Sequence, residues 1–167
     1  MSETADEEDW QAIYAEQLPR VFNFFRYRLK VEDDATAQDL TATTFEKAWR
    51  ARRQYQNNLA AFSTWLFTIA RNTANDFFRQ QRESLSLDDV AQVATSETTE
   101  DVVQQSLDAE QLRGLLRALP DREQELIALR YGAGLTNRAI ASLLKLGEAN
   151  VAQILHRVVH KLEGMWT

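Results

Sequence analysis

The stretch from Phe62 to Arg82 has the most regular alternation of apolar and polar residues in this chain. Core-type residues recur every three or four positions, which is the period of an α-helix with one face against a core. The opposite side is polar at the same spacing and carries three arginines. The pattern therefore predicts an amphipathic helix. Its core face comprises Phe62, Leu66, Ile69, Ala70, Thr73 and Phe77, and its polar face comprises Thr64, Thr68, Arg71, Asn75, Arg79 and Arg82.

The polar face of this helix has the side chains that bind nucleic acid. Guanidinium and carboxamide groups make bidentate contacts with phosphates and base edges. The face carries both groups, and Asp76 at its edge is its one acid. Any surface helix also has a solvated polar face, so the pattern alone leaves two interpretations open, a DNA-binding face and ordinary surface.

The net charge of −6 argues at first against a nucleic-acid-binding protein, but the charge is unevenly distributed. Residues 1–9 carry −5 and residues 83–106 carry −6, whereas residues 10–82 carry +4 and residues 107–167 carry +1. Both acidic segments have the composition of unfolded chain. We therefore predict an acidic disordered tail over residues 1–9 and a flexible acidic linker over residues 83–106, which joins two mildly basic modules.

Helical spacing of apolar residues extends to both sides of the opening stretch, starting at Trp10 and again near Leu107. It predicts a first helical module over residues 10–82 and a second over residues 107–167. Pro19 is best placed in the first turn of a separate helical segment, where its missing N–H removes no hydrogen bond. The predicted fold class is all-α, with two small helical domains.

The second module has the signals of a helix-turn-helix. Pro120 ends one helix, and Asp121 is a candidate cap for the next. Thr136 is expected to cap a short helix, a tight turn follows at residues 145–147, and a last helix completes the chain. That last helix would be presented to a major groove. The residues that point away from its apolar side are Gln153, His156, Arg157 and His160.

The composition excludes several classes of protein. The chain has no cysteine, so disulfide frameworks, thiolate metal sites and a cysteine nucleophile are excluded. It has neither an apolar signal core nor an apolar run long enough for a membrane span, so we expect a cytoplasmic protein without membrane insertion. No catalytic constellation is recognisable, and we expect neither an enzyme nor a cofactor. His156 and His160 have a metal-binding spacing but no third ligand in reach.

Three blocks of residues occur in an order and spacing that match a known family. Leu18–Phe22, Ala37–Thr41 and Phe45–Trp49 form the first block, Trp65–Asn72 lies in the second, and the third contains Leu119–Pro120, Arg122–Glu123, Leu129–Tyr131 and Leu135–Thr136. From Trp10 to Leu162 the chain resembles the extracytoplasmic-function (ECF) group of bacterial RNA polymerase sigma factors. The resemblance implies sigma region 2 at residues 10–82 and sigma region 4 at residues 107–167.

The resemblance implies two binding surfaces in region 2. One would dock on the clamp helices of the largest subunit of core RNA polymerase through Asp39, Leu40, Thr43, Glu46 and Arg50. The other would hold the non-template strand of the upstream melted promoter element, with a base flipped from the stack near the loop at residues 57–58. This second set comprises Asn57, Asn58, Phe62, Arg71, Asn72, Asn75, Arg79 and Arg82.

In region 4 the resemblance implies contacts with the polymerase flap and with promoter DNA through the helix-turn-helix. The last helix departs from the family, because Gly147 to Ile154 lack the usual serine cap and two of the usual positive groups, and Lys145 replaces the usual turn glycine. Fewer neutralised phosphates predict weaker binding or an unusual sequence preference. The candidate DNA-binding residues are Thr136, Arg138, Asn150, Gln153, Ile154, His156, Arg157 and Lys161.

The leading hypothesis is therefore a sigma factor that directs core polymerase to a two-part promoter and assists strand opening. An anti-sigma factor is a further partner that the resemblance implies. The first alternative is a degenerate sigma-like regulator that binds polymerase or an anti-sigma factor without efficient initiation. The second is a stand-alone helix-turn-helix regulator that uses only residues 107–167.

Overall fold

The computed structural model describes residues 3–29, 34–55, 62–87 and 103–166, and all regular structure in these parts is helical. A 3₁₀ turn at Arg52–Gln54 follows the second helix, and a π-helical turn at Ala128–Gly132 follows the fifth. The prediction of an all-α fold is confirmed. The helices are α1 (Glu3–Arg28), α2 (Asp34–Arg50), α3 (Phe62–Leu87), α4 (Val103–Ala118), α5 (Asp121–Ile127), α6 (Asn137–Leu144) and α7 (Glu148–Met165).

The first module consists of α1, α2 and α3, and aromatic rings fill much of its core. Phe24 on α1 and Phe67 on α3 are fully buried, with ring centroids 5.8 Å apart in an edge-to-face arrangement. Phe25 is also fully buried, and its ring centroid lies 5.2 Å from that of Phe24. Aromatic pairs of this geometry contribute about 0.5–1.5 kcal/mol beyond the area that they bury. They fix α3 against α1 and so determine which of its faces remains available.

Helix α1 is longer and more continuous than the sequence pattern predicted. It begins at Glu3, so residues 3–9 are helical instead of forming a disordered tail. Pro19 lies inside the helix and not in the first turn of a second one. The exposed proline removes one backbone hydrogen bond, and the buried residues that follow it offset this cost.

The second module consists of α4 to α7 and contains the predicted helix-turn-helix at α6 and α7. Thr136 caps α6 as predicted, because its hydroxyl accepts a hydrogen bond from the Ala139 N–H at 3.1 Å. Asp121 is the first residue of α5, and Pro120 occupies the cap position without a side-chain hydrogen bond. Before α6 the chain turns at Gly134, whose φ of +70° favours glycine.

The two modules pack directly against each other. Helix α5, the π-helical turn and α6 lie against α1 and α3, and buried apolar residues of both modules form one continuous cluster. Residues 83–87 and 103–106, which the sequence pattern assigned to the linker, lie in α3 and α4. The rest of the predicted linker, residues 88–102, lies outside the described residues. Within the described parts, no helix has the length and apolarity needed to cross a membrane.

Replacing Lys145 by glycine is expected to raise the free energy of unfolding by about 0.5–1 kcal/mol. Lys145 ends α6 in the left-handed conformation, with φ 58° and ψ 45°, where a Cβ atom is sterically unfavourable and glycine is not. Urea unfolding followed by circular dichroism measures the change. The Lys145→Ala variant is the control, since alanine keeps the Cβ atom. A glycine variant no more stable than the alanine variant would contradict the prediction.

Candidate nucleic-acid interface

The outer face of α3 presents the amide and guanidinium groups that the sequence assigned to it. Asn72, Asn75, Arg79 and Arg82 are exposed, while the neighbouring positions Thr73 and Ala74 are buried. The side chain of Arg79 is 61% exposed and lies 3.3 Å from the Asp76 carboxylate, one helical turn away. An exposed pair of this kind is weak, so the guanidinium remains available to a phosphate.

Arg71 belongs to the same predicted set but has a different environment. It is half-buried, and its Nε donates a hydrogen bond to the Glu125 carboxylate on α5 at 3.1 Å. Glu125 is itself buried and also lies 3.7 Å from the Arg122 guanidinium. Arg71 is therefore less available to a phosphate than the exposed Arg79, because a carboxylate of the second module accepts a hydrogen bond from it.

Phe62 lies in an aromatic cluster at the start of α3, formed by Trp10, Trp49, Tyr55, Phe62 and Trp65. The Phe62 ring lies 5.9 Å from Trp10, 5.4 Å from Tyr55 and 5.5 Å from Trp65, and Trp10 lies 5.4 Å from Trp49. All five rings are only partly buried. Trp10, Phe62 and Trp65 also pack against the hydrophobic core, so the cluster joins the core to the surface at the start of α3.

The loop that the resemblance placed beside a flipped base starts at this cluster. Asn57 and Asn58, two of the predicted DNA ligands, lie outside the described residues.

The Arg52 guanidinium stacks over the Trp49 ring at 3.8 Å from the centroid and donates to the Trp49 carbonyl at 2.8 Å. A cation beside aromatic rings that are partly open to solvent is a combination that binds single-stranded nucleic acid.

The face of α2 predicted to dock on polymerase combines both signs of charge. Asp39, Glu46 and Arg50 are exposed, and Leu40 and Thr43 are half-buried. The Glu46 and Arg50 side chains form an ion pair at 2.6 Å and are 61% and 76% exposed. Four of these positions share one side of α2 through their helical spacing, whereas Leu40 lies at the edge of that side and packs against the core.

On the helix-turn-helix, most of the predicted DNA-binding side chains are open to solvent. The Lys161 ammonium lies 3.4 Å from the Glu123 carboxylate. Ile154 differs from the other members, because it is half-buried and packs against the core. Gly147 is the N-cap of α7 and offers no side-chain acceptor to its first turn. The exposed members are Thr136, Arg138, Asn150, Gln153, His156, Arg157 and Lys161.

Sequence reasoning missed a buried polar group between the two modules. Arg28 at the end of α1 is 5% exposed, and its Nη1 donates to Gln124 Oε1 at 2.7 Å. Burial lowers the pKa of Arg28, while the nearby Glu125 and Asp121 carboxylates act in the opposite direction. The guanidinium also lies 4.5 Å from the Phe78 ring centroid. No signal within either module's own pattern reveals this pairing, because it requires the two modules to be in contact.

Comparison with known protein families matches two separate parts of the chain. Residues 13–84 match the model of sigma-70 region 2, and residues 115–163 match that of sigma-70 region 4. The chain is 31% identical to the ECF RNA polymerase sigma factor BldN of Streptomyces coelicolor, over 90% of this chain and 57% of BldN. It therefore spans just over half the length of that relative.

A second relative is matched over most of its length. The ECF RNA polymerase sigma factor SigL of Mycobacterium tuberculosis is 30% identical over 83% of this chain and 79% of SigL. Among solved structures, the sigma factor RpoE of Bartonella quintana, in complex with the anti-sigma factor NepR, superposes with a TM-score of 0.77. That likeness covers 94% of this chain and 96% of RpoE at 21% identity, and it is a likeness of fold.

Proposed function

This chain belongs to the ECF family of RNA polymerase sigma factors, and on that premise we propose that it directs core RNA polymerase to a two-part promoter and assists strand opening. The first module would dock on the polymerase clamp helices through α2 and hold the non-template strand on α3. The second module would bind the polymerase flap and read the upstream promoter element through α7. The work of both modules is binding, and catalysis stays with the polymerase.

The observation that carries this proposal is the exposed amide and guanidinium face of α3, which continues towards the aromatic cluster at the start of the same helix. Asn72, Asn75 and Arg79 supply groups for phosphates and base edges. Phe62 and Trp65 add ring faces on which unpaired bases can stack. Together they suit a single DNA strand, because a closed duplex does not offer its base faces.

The partners of this proposed function are core polymerase, promoter DNA and an anti-sigma factor. The mixed charges on α2 suit a protein surface better than DNA, because Asp39 and Glu46 would repel phosphates. An anti-sigma partner is supported by the fold shared with RpoE, which was solved in complex with one. A protein with these partners would act in the cytoplasm.

The experiment that tests the proposal is run-off transcription with purified core polymerase over a library of promoter DNAs, with and without this protein. We expect selective initiation at one two-part sequence only when the protein is present. Absence of polymerase binding would instead favour the stand-alone regulator. Binding to polymerase with no initiation at any promoter would favour the degenerate sigma-like protein.

The degenerate form is a second candidate because of one observation on α7. Gly147 occupies the cap position without an acceptor side chain, and a glycine cap stabilises a helix by roughly a few tenths of a kcal/mol less than a serine cap. Within the described parts of the chain, an added Cβ at Gly147 meets no atom within 4 Å, so the Gly147→Ser variant fits. Initiation by the serine variant at promoters that the unchanged protein ignores would support the degenerate form.

Reversing the charge of Asp39 is expected to lower the affinity for core polymerase about fivefold, which corresponds to about 1 kcal/mol of binding free energy. Asp39 is exposed on the proposed docking face of α2, and Asp39→Lys puts a cation where the proposal requires an anion. The neighbouring Gln38 is also exposed but points to a different side of the helix, so Gln38→Lys is the matched control. Titration of fluorescently labelled protein with core polymerase measures both. Equal affinities for the two variants would remove Asp39 from the docking surface.

A further inference from the structure

The turn of the helix-turn-helix holds a lysine in a backbone conformation that disfavours it. Lys145 ends α6 with φ 58° and ψ 45°, and among the described residues it is the only one other than glycine with a positive φ. In this left-handed conformation a Cβ atom crowds the backbone, and glycine alone adopts it without strain. The chain therefore keeps a lysine where glycine would give a more stable turn.

The surroundings of Lys145 fix the strained conformation. The backbone N–H groups of Lys145 and Leu146 both donate to the Ala141 carbonyl, the second at 3.0 Å. Leu144 is buried and Leu146 packs against the core, whereas the Lys145 side chain between them is exposed. The lysine thus adds nothing to the packing of the turn. Strained residues that the surrounding structure holds in place are concentrated at functional sites.

Ion pairing does not account for the lysine either. In the parts of the chain that the structure describes, the Lys47 ammonium lies 3.8 Å from the Asp76 carboxylate, and the Lys161 ammonium lies 3.4 Å from that of Glu123. Lys145 has no such partner there. Its ammonium is therefore available to an anion from outside the protein.

The charge around the turn makes this cation important. Lys145 is the only lysine or arginine between Arg138 and Arg157. Residues 146–155 contain no cationic side chain and one acid, Glu148, which is exposed in the first turn of α7. A phosphate at this end of α7 would be repelled by Glu148. Lys145 supplies the positive charge that offsets the repulsion.

The position of the turn suits a contact with the DNA backbone. In a helix-turn-helix the first helix crosses the backbone, and the first residues of the second helix contact base edges in the major groove. The turn between them therefore lies where the protein passes from the backbone into the groove. Lys145 precedes Gly147, the N-cap of α7, by two residues. A lysine binds phosphate as a point charge on a flexible stem, so the contact requires no exact geometry.

We infer that Lys145 is a phosphate-binding residue of the helix-turn-helix, which supplies from the turn part of the positive charge that the start of α7 lacks. This inference rests on the proposed DNA-binding function of α6 and α7. A phosphate contact carries no sequence information, but it fixes the register of a helix in the groove. Lys145 would position α7, while Asn150 and Gln153 contact the bases.

Stability and DNA affinity should change in opposite directions when glycine replaces Lys145. Lys145→Gly relieves the strained turn and removes the cation, so the variant should resist urea better than the parent and bind DNA more weakly. The probe is a fluorescein-labelled duplex of random sequence, titrated with the free full-length protein at several salt concentrations. The slope of log affinity against log salt should fall by about 0.9, so that the difference from the parent shrinks about 3.5-fold between about 50 mM and about 200 mM salt.

Three further variants separate the charge of Lys145 from its backbone conformation. Lys145→Ala removes the charge and keeps the Cβ atom, so it should lower the slope as the glycine variant does, without the gain in stability. Lys145→Arg keeps both and should retain the slope of the parent. Lys47→Ala removes a cation from the first module and should leave the slope unchanged. An unchanged slope in the glycine and alanine variants, or an equal loss in Lys47→Ala, would overturn the inference.

Run-off transcription distinguishes failure of this inference from failure of the proposed function. Binding to a random duplex reports the phosphate contact whether or not the protein initiates transcription. A lower slope in Lys145→Gly supports the phosphate contact even if no promoter responds. Normal initiation by the parent, together with an unchanged slope in Lys145→Gly, would refute the role of Lys145 and leave the sigma-factor proposal intact.

Discussion

Leu66→Ala is expected to lower the free energy of unfolding by about 2–5 kcal/mol, the largest stability effect that we predict. Leu66 lies on α3 and is fully buried within the core. Truncation removes apolar contacts and leaves a cavity that the surrounding helices fill only in part. Because typical domains are stable by about 5–15 kcal/mol, the loss would be a large fraction of the total. Urea unfolding monitored by circular dichroism measures it.

The same helix supplies the control for this prediction. Leu85 also lies on α3, but it is 56% exposed, so Leu85→Ala should change stability by no more than about 0.5 kcal/mol. The chemical change and the helix are identical, and only burial differs. Similar destabilisation by both variants would mean that helix propensity, and not core packing, sets the stability of α3.

The features of the fold that were predicted correctly depend on local sequence patterns. Helix α3 was predicted from the period of its apolar residues, and Leu66, Ala70 and Thr73 are indeed buried. Thr136 was recognised as a helix cap from its position before a short apolar run, and its hydroxyl accepts the expected bond. Both signals are local, since they depend on residues within one or two turns of each other.

The features that sequence analysis missed depend on contacts between modules. Phe67 and Arg71 fall outside the predicted core face of α3, yet Phe67 is fully buried and Arg71 pairs with Glu125 across the interface. A helix covered on two sides has a wider buried arc than an amphipathic pattern reveals. Arg28 and Gln124 are separated by most of the chain, and no period of 3.6 residues links them.

Pro19 illustrates the opposite error, in which a local rule was applied too strictly. The residue lowers helix propensity, so a break was predicted there, but α1 continues through it. Val21, Phe24 and Phe25 follow closely and are fully buried. Tertiary packing of these residues outweighs the lost backbone hydrogen bond, which is a frequent limit of propensity arguments.

Gln153→Ala is expected to weaken binding to the upstream promoter element by about 1–3 kcal/mol, roughly 5-fold to 150-fold, and to relax preference at one base pair. Gln153 is exposed on α7, where its carboxamide suits the paired donor and acceptor of an adenine edge. Affinity of the complex with core polymerase for a library of upstream elements measures the effect. The exposed Gln11 on α1 lies in the other module, so Gln11→Ala is the matched control.

A phosphate contact on the same helix should behave differently, which makes the test of Gln153 specific. Arg157 is exposed one turn further along α7, and Arg157→Ala should weaken all sequences about equally while lowering the slope of log affinity against log salt by about 0.9. Loss of discrimination at one base pair with an unchanged salt slope identifies Gln153 as a base-reading residue. A uniform loss with Gln153→Ala would mean that its carboxamide positions α7 on the DNA backbone, and that the promoter preference arises elsewhere on the helix.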